Sequence, residues 1–330
     1  VAVGLMFAAV AVSIPMSFWQ KISIPLFVFS GFLLLLVLIP GVGHRVNNAI
    51  RWLPLGPIKF QPSELMKLSI MLFAADYTIR KQSYMQSFMT SLVRGFLPMA
   101  VALGVVGVLL LKEPDLGALI VVIAIAMGIL FLGGINTKIF SGLIVLLLGV
   151  FALAIWLSPW RRARLFAYMD PWNPENTLSS SYQLSHSLMA IGRGQWTGVG
   201  LGGSVEKLHY LPEAHTDFIM AVIGEELGFV GVMMMIILFG IVVYRCVEIG
   251  RQAIAMDRPF GGLLAQGAGI WFGVQAFINM GVCLGLLPTK GLTLPLVSYG
   301  GSGIVMNLIA LAMVLRVDFE SRMMMRGGRT

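Results

Sequence analysis

Charge is the scarcest commodity in this chain: 23 Lys and Arg and 15 Asp and Glu among 330 residues, or 12%. A soluble domain carries about 25%, so a soluble globular core is excluded. Cysteine is nearly absent. Cys246 and Cys283 lie near opposite ends of neighbouring apolar segments, too far apart in bilayer depth for a bridge, and are expected to be free thiols. Only four histidines occur. No His/Cys grouping has zinc spacing, no Ser-His-Asp arrangement is legible and no phosphate loop is present, which disfavours an ATP-driven pump. A basic leader and a small-residue cleavage site are also missing from the apolar stretch Val1 to Pro15, so nothing there resembles a cleavable signal.

What is present is apolar length. Hydrophobic residues make up 58% of the chain, and the mean hydropathy is +0.88. Runs long enough to cross about 30 Å of hydrocarbon recur near 1–16, 22–42, 62–79, 95–112, 116–132, 138–157, 217–244, 262–285 and 300–316. The expected fold is therefore all-α, a polytopic transmembrane helical bundle of about nine spans. It forms a single membrane domain over residues 1–330, with one large loop at 158–216.

The formal charge of +8 is spread over short loops, the pattern of membrane orientation rather than of nucleic-acid binding. Arg80, Lys81, Arg94, Arg245, Arg251, Arg258 and Arg322 fall on one side, which the positive-inside rule makes cytoplasmic. The C-terminus is then cytoplasmic, and loops 43–61, 112–116, 158–216 and 286–299 face outward. Those outer loops nevertheless hold Arg45, Arg51, Lys59, Lys112, Arg161, Arg162, Arg164, Arg193, Lys207 and Lys290. Either lipid head groups and nearby carboxylates neutralise them, or they line a cationic pocket for an anionic ligand such as a pyrophosphate.

The polar run Leu211-Pro212-Glu213-Ala214-His215-Thr216-Asp217-Phe218 precedes an apolar span. Thr216 reads as its N-cap and Asp217 as a first-turn carboxylate. Asp217 then either assists capping or serves as an ionised base held between the helix dipole and the membrane mouth. Glu225 and Glu226 follow about 12 Å deeper at 1.5 Å per residue. They suit a structural hydrogen-bonding role or a proton pathway. In Lys112-Glu113-Pro114-Asp115, Pro114 and Asp115 read as turn and cap, leaving Lys112 and Glu113 at the outer mouth to pair or to address a ligand. Ser63 and Glu64 read as a helix start, and Arg51 and Lys59 are the less explained members of that loop. The glycine series 192–203 neither follows a strand nor opens a long helix, so it reads as turns and close backbone packing rather than a dinucleotide site. The Pro- and Gly-rich segment 288–303 contributes Lys290.

Together these segments resemble the SEDS family (shape, elongation, division and sporulation) of bacterial cell-wall proteins, along essentially the whole chain. The carriers are Arg51-Trp52 with Gln61-Pro62-Ser63-Glu64, Glu113-Pro114-Asp115-Leu116-Gly117, Asp170-Pro171-Trp172, Tyr182-Gln183, Leu211-Pro212-Glu213 with His215-Thr216-Asp217-Phe218, Gly224-Glu225-Glu226-Leu227-Gly228, and Ser298-Tyr299-Gly300-Gly301. Lys290-Gly291-Leu292-Thr293-Leu294-Pro295-Leu296 is similar to the division branch more than to the elongation branch, and Gly303 stands where family members often have serine. The family has ten spans, so the resemblance implies a first helix preceding Val1.

What the resemblance implies is a peptidoglycan glycosyltransferase that polymerises lipid II at the outer surface of the bacterial cytoplasmic membrane, during septal wall synthesis for the division branch. Asp217 matches the family's essential aspartate and is the implied general base. Arg51, Lys112 and Lys290 are candidates for the departing pyrophosphate; Lys59, Glu113, Tyr182, Gln183, Glu213, His215 and Ser298 complete the implied substrate-binding set. A divalent cation, Mg or Mn, could assist the leaving group, although no ligand set is legible. Implied partners are a septal class B penicillin-binding protein, FtsI, with FtsQ, FtsL and FtsB. A flippase for lipid-linked precursors, using Glu225 and Glu226, is the competing reading.

Overall fold

A computed structural model describes the chain except for residues 47–48, 56–57, 85–89, 174–180, 209 and 327–330. The side chains of Arg45, Arg161 and Arg164 also lie outside what it describes. The helices are α1 (Ala2–Ser13), α2 (Met16–Val37), α3 (Pro62–Lys81), α4 (Leu97–Lys112), α5 (Leu116–Leu132), α6 (Thr137–Trp156), α7 (Pro159–Met169), α8 (Tyr182–Gly194), α9 (Ile219–Ala255), α10 (Pro259–Cys283) and α11 (Gly301–Met325). Among the described residues, five stretches are long and apolar enough to cross a membrane: Met16–Val37, Leu92–Lys112, Ile219–Ala255, Pro259–Cys283 and Gly301–Met325. The remaining expected spans are shorter or less apolar helices. The chain folds as two compact units.

The first unit comprises Val1–Ser141, Val242–Phe272 and Gly301–Thr330. Its centre is α3, buried along nearly its whole length by α2 and α5. A helix buried on every side cannot expose its polar groups to water, and several of those of α3 find partners in α2 or within α3 itself. Asp76 accepts from Gln20 (3.1 Å), Ser23 (3.3 Å) and Arg80 (2.9 Å), and Ser30 and Ser69 share a 2.6 Å hydrogen bond. Lys67, fully buried, pairs with Glu64 at 2.7 Å beneath the Trp271 ring. Near the end of α11, Glu320 accepts from the Met16 amide (3.0 Å), Arg316 (2.8 Å) and Arg258, pinning the α1–α2 turn.

Loop 43–61 departs from the all-helical expectation. Strands β1 (His44–Val46), β2 (Ala49–Leu55) and β3 (Ile58–Phe60) form a small antiparallel sheet in the order β1-β2-β3. Strand pairing satisfies backbone groups of the loop, and Val46, Ile50, Trp52, Ile58 and Phe60 are residue types that suit strands.

The second unit comprises Gly142–Ile241 and Gly273–Gly300. The described residues of loop 158–216 include α7 and α8. The apolar face of α8 enters a core with Leu211, Ala214, Phe218, Val222, Met280, Cys283 and Leu294. At 1.5 Å per residue, the 37 residues of α9 would measure about 55 Å, nearly twice the hydrocarbon thickness. A break resolves the excess: Gly228 adopts φ 65° and ψ −159°. A side chain there would also stand 2.4 Å from the Gly198 nitrogen. Conformation and space both require glycine.

Residues 194–203 strap across that break. The amides of Val199 and Gly200 donate to the carbonyls of Glu225 (3.0 Å) and Glu226 (3.1 Å), while those of Phe229 and Val230 donate to Gln195 (2.8 Å) and Trp196 (3.2 Å). The glycine series therefore does serve turns and close packing: a Cβ on Gly198 would sit 2.0 Å from the Glu226 carbonyl oxygen. The two cysteines are free and buried.

Candidate active site

In the first unit, polar groups collect at the turn between α4 and α5. Asp115 caps α5, as its position suggests, accepting from the Ala118 amide at 3.1 Å. Its other oxygen accepts from Gln61 (3.2 Å) and Ser63 (3.1 Å), so Ser63 bonds across to this turn rather than capping its own helix. Ser302 ties the same corner, accepting from the Gln61 amide (3.0 Å) and donating to the Lys59 carbonyl (3.2 Å). Arg51 reaches from β2 to the turn's backbone, donating from Nε to the Glu113 carbonyl at 3.1 Å and from Nη2 to that of Pro114. A guanidinium fork matches two adjacent carbonyls in a way an ammonium does not.

Glu113 is fully buried, and both its carboxyl oxygens lack a hydrogen-bond partner. Burial first, and the neighbouring Asp115 second, push it up to about 8 against the opposing pull of Arg51. At neutral pH it is chiefly the protonated acid. Lys59 and Lys112 are exposed.

In the second unit, Asp217 is half-buried, and the helix begins only at Ile219. This corrects the capping expectation: Thr216 does not cap α9 but turns back, donating to the Glu213 carbonyl (3.2 Å) and carboxylate (2.7 Å). Residues 211–218 form successive turns, because their carbonyls are claimed by another segment. Tyr299 N donates to the His215 carbonyl (2.9 Å), Ser298 Oγ to that of Thr216 (2.6 Å) and Asn279 Nδ2 to that of Asp217 (2.7 Å). Cys283 Sγ adds a 3.6 Å contact to the Asp217 carbonyl.

The segment supplying Ser298 and Tyr299 is itself held by α10. Gln275 donates to the Thr293 carbonyl (2.8 Å) and Asn279 to that of Leu292 (2.6 Å), one helical turn apart. Ser298 Oγ accepts from the Leu294 amide at 2.7 Å. The backbone at Gly291 faces the Asp217 carboxylate so closely that a Cβ there would lie 3.1 Å from Oδ2. The second unit thus brings Glu213, His215, Asp217, Ser298 and the segment carrying half-buried Lys290 into one network. Tyr182 and Gln183 stand in the first turn of α8, half-buried, with the Tyr182 ring 4.3 Å from that of His186.

Glu225 and Glu226 hold the strap. Glu225, fully buried, accepts from Arg193 (2.8 Å), Ser204 (2.5 Å) and the amides of Val205 (3.1 Å) and Glu206 (3.4 Å); Glu226 pairs with Lys207. Two of the outer cations, Arg193 and Lys207, are therefore neutralised by carboxylates. Sequence reasoning missed Asn279, Gln275 and the His186–Glu206 pair (2.7 Å). The spacing Gln275, Asn279, Cys283 is the one available signal, since i, i+4, i+8 marks one polar stripe on an otherwise apolar helix. Among the described residues, no three of His, Cys, Asp or Glu gather as a metal cluster.

Fold and site define a multi-pass α-helical membrane protein whose polar chemistry is built on interhelical loops. The model of the cell cycle protein family that holds FtsW, RodA and SpoVE matches residues 1–323. A relative from Burkholderia thailandensis, named "Probable peptidoglycan glycosyltransferase FtsW", is 62% identical over 99% of this chain and 70% of its own length. One of the same name from Aromatoleum aromaticum is 58% identical over 99% and 78%. Among solved structures, a chain from work on coordination of polymerization and crosslinking by a peptidoglycan synthase complex superposes with a TM-score of 0.78 at 30% identity, covering 97% of this chain and 87% of that one. The Thermus thermophilus rod shape determining protein RodA gives 0.69 at 30%, covering 97% and 85%. The chain belongs to this family, the SEDS family.

Proposed function

We propose that this chain, acting as one membrane domain over residues 1–330, polymerises lipid II into glycan strands at the outer face of the cytoplasmic membrane during septal wall synthesis. That it is a peptidoglycan glycosyltransferase follows from its family and from relatives 62% and 58% identical. The observation carrying the assignment of chemistry is Asp217: a half-buried carboxylate on a backbone with three consecutive carbonyls hydrogen-bonded, two from residues 298–299 and the third, its own, from Asn279 of α10. A base so held loses little orientational freedom on meeting its substrate.

Asp217 takes the proton of an acceptor GlcNAc 4-hydroxyl as that oxygen attacks the donor's anomeric carbon. The bond from that carbon to the phosphate oxygen breaks, undecaprenyl pyrophosphate departs with the electron pair, and single displacement inverts an α to a β linkage. Lys290, Lys112 and Arg51 are the proposed cations for the charge growing on the pyrophosphate. Lys59, Glu113, Tyr182, Gln183, Glu213, His215 and Ser298 are the proposed surroundings of substrate; Glu113 as a neutral acid would donate rather than accept. Proposed partners are FtsI, FtsQ, FtsL and FtsB.

The test is Asp217→Ala, purified with its cognate penicillin-binding protein and supplied with lipid II. Glycan synthesis should be lost, and polymerisation at the wild-type rate would remove Asp217 as the base.

A further inference from the structure

We propose that Asn279 is a positioning residue for Asp217, fixing the base and the Lys290–Leu292 strand to each other through a single side-chain amide. This deepens the reading of Asp217 as general base and rests on it.

Asn279 lies one turn before the end of α10 and is 2% exposed. Its amide nitrogen has two hydrogens, and they meet two carbonyl oxygens, those of Asp217 (2.7 Å) and Leu292 (2.6 Å). Its oxygen is buried without a partner. The orientation is thereby determined, because a flipped amide would set an oxygen against two carbonyl oxygens. The second of these backbones is close to the carboxylate: Leu292 adjoins Gly291, the residue facing Asp217 Oδ2.

The neighbouring restraints are arranged differently. Ser298 and Tyr299 hold the carbonyls of Thr216 and His215, the residues preceding the base. Gln275 holds Thr293. Cys283 reaches the Asp217 carbonyl at 3.6 Å, and a thiol is a weak donor. Removing Asn279 takes away the amide hydrogen bond on the base's own carbonyl and, with it, the link to Leu292. A misplacement of about 1 Å at a catalytic group costs on the order of a hundredfold in rate. Asn279 touches no reacting atom, so substrate binding should survive its loss.

The experiment compares Asn279→Ala, Asn279→Asp and Asp217→Asn in the full chain with its penicillin-binding partner, measuring kcat and KM for lipid II and thermal unfolding of each variant. Asn279→Asp keeps the side-chain volume while replacing the donor by an oxygen, so it reports even where Asn279→Ala fails to fold. The expected result is a fall in kcat of about a hundredfold with KM within about twofold of wild type. Asn279→Asp should also lie closer to wild type at pH 5.5 than at pH 8, because only its protonated carboxyl retains a donor. A wild-type kcat in folded Asn279 variants, or a raised KM with kcat preserved, overturns the positioning role while inactive Asp217→Asn leaves the base reading standing. Active Asp217→Asn overturns the base reading and this inference with it.

Discussion

Glu113 in the first unit and Glu225 in the second are the same residue type at the same depth of burial, each fully shielded from solvent, and their surroundings are opposite. Glu225 collects a guanidinium, a hydroxyl and two backbone amides. Glu113 collects nothing on either oxygen, and the nearest cation, Arg51, spends its donors on the turn's carbonyls instead. Burial by itself therefore does not set the charge state of a carboxyl. The count of donors aimed at it does, because an ion removed from water needs replacement hydrogen bonds and a neutral acid needs few. The contrast separates two kinds of outer-loop carboxyl: one that fastens a strap across a broken helix, and one stored as an acid in a tight turn.

The largest effect that would break this comparison is at Glu225. Glu225→Ala should destabilise the second unit by about 3 kcal/mol, since the buried Ser204 hydroxyl and the part-buried amides of Val205 and Glu206 lose their acceptor at once while the half-exposed Arg193 recovers water. Unfolding in detergent measures the loss, and limited proteolysis should open the strap at 195–207. A variant as stable as wild type, with an uncut strap, would make the Glu225 contacts incidental.

Glu113 should respond in the other direction. Its carboxyl sits at about 8 when folded, above its ordinary 4.5, so between those values the folded chain binds the proton more tightly than the unfolded chain. Stability is then full below about pH 4.5 and declines by about 1.4 kcal/mol per pH unit until the folded group ionises near 8. Glu113→Gln, which is neutral at every pH, should remove that slope and exceed wild type in thermal stability at pH 8. Identical pH profiles for the two proteins would show that Glu113 is not held as the acid.

Much of this was legible from the sequence, and what was hidden has a common physical cause. Apolar runs announce helices because each must satisfy its own backbone in lipid, and Asp115 announces a cap because its partner lies three residues on. The Gly228 break falls inside the apolar run expected at 217–244; its partner strap is about 30 residues earlier in the chain, and local periodicity carries no trace of it. Thr216 looked like an N-cap for the same reason. Its side chain has a cap's chemistry, but Ser298, 82 residues away, takes the carbonyl and delays the helix. The candidate residues Glu213, His215, Asp217, Lys290 and Ser298 could be named individually, whereas the stripe Gln275, Asn279 and Cys283 that organises them reads in sequence as ordinary helix interior.

The smallest predicted effect sharpens the comparison by asking how stiff the second unit is where it faces Asp217. A Cβ at Gly291 would lie 3.1 Å from Oδ2, tighter than ordinary contact, so the carboxylate or the strand must yield by a few tenths of an ångström. If 1 Å costs about a hundredfold, a displacement of about a third of that costs roughly fivefold. Gly291→Ala should therefore lower the rate of glycan synthesis at saturating lipid II about three- to tenfold, leaving thermal stability near wild type. A wild-type rate would mean that the network lets the carboxylate drift without penalty. Inactivity as complete as that of Asp217→Ala would mean that the strand had been displaced bodily. The intermediate value is the signature of a base held on a stiff backbone, and it ties the donors counted on Thr216, Asp217 and Leu292 to the rate of the reaction.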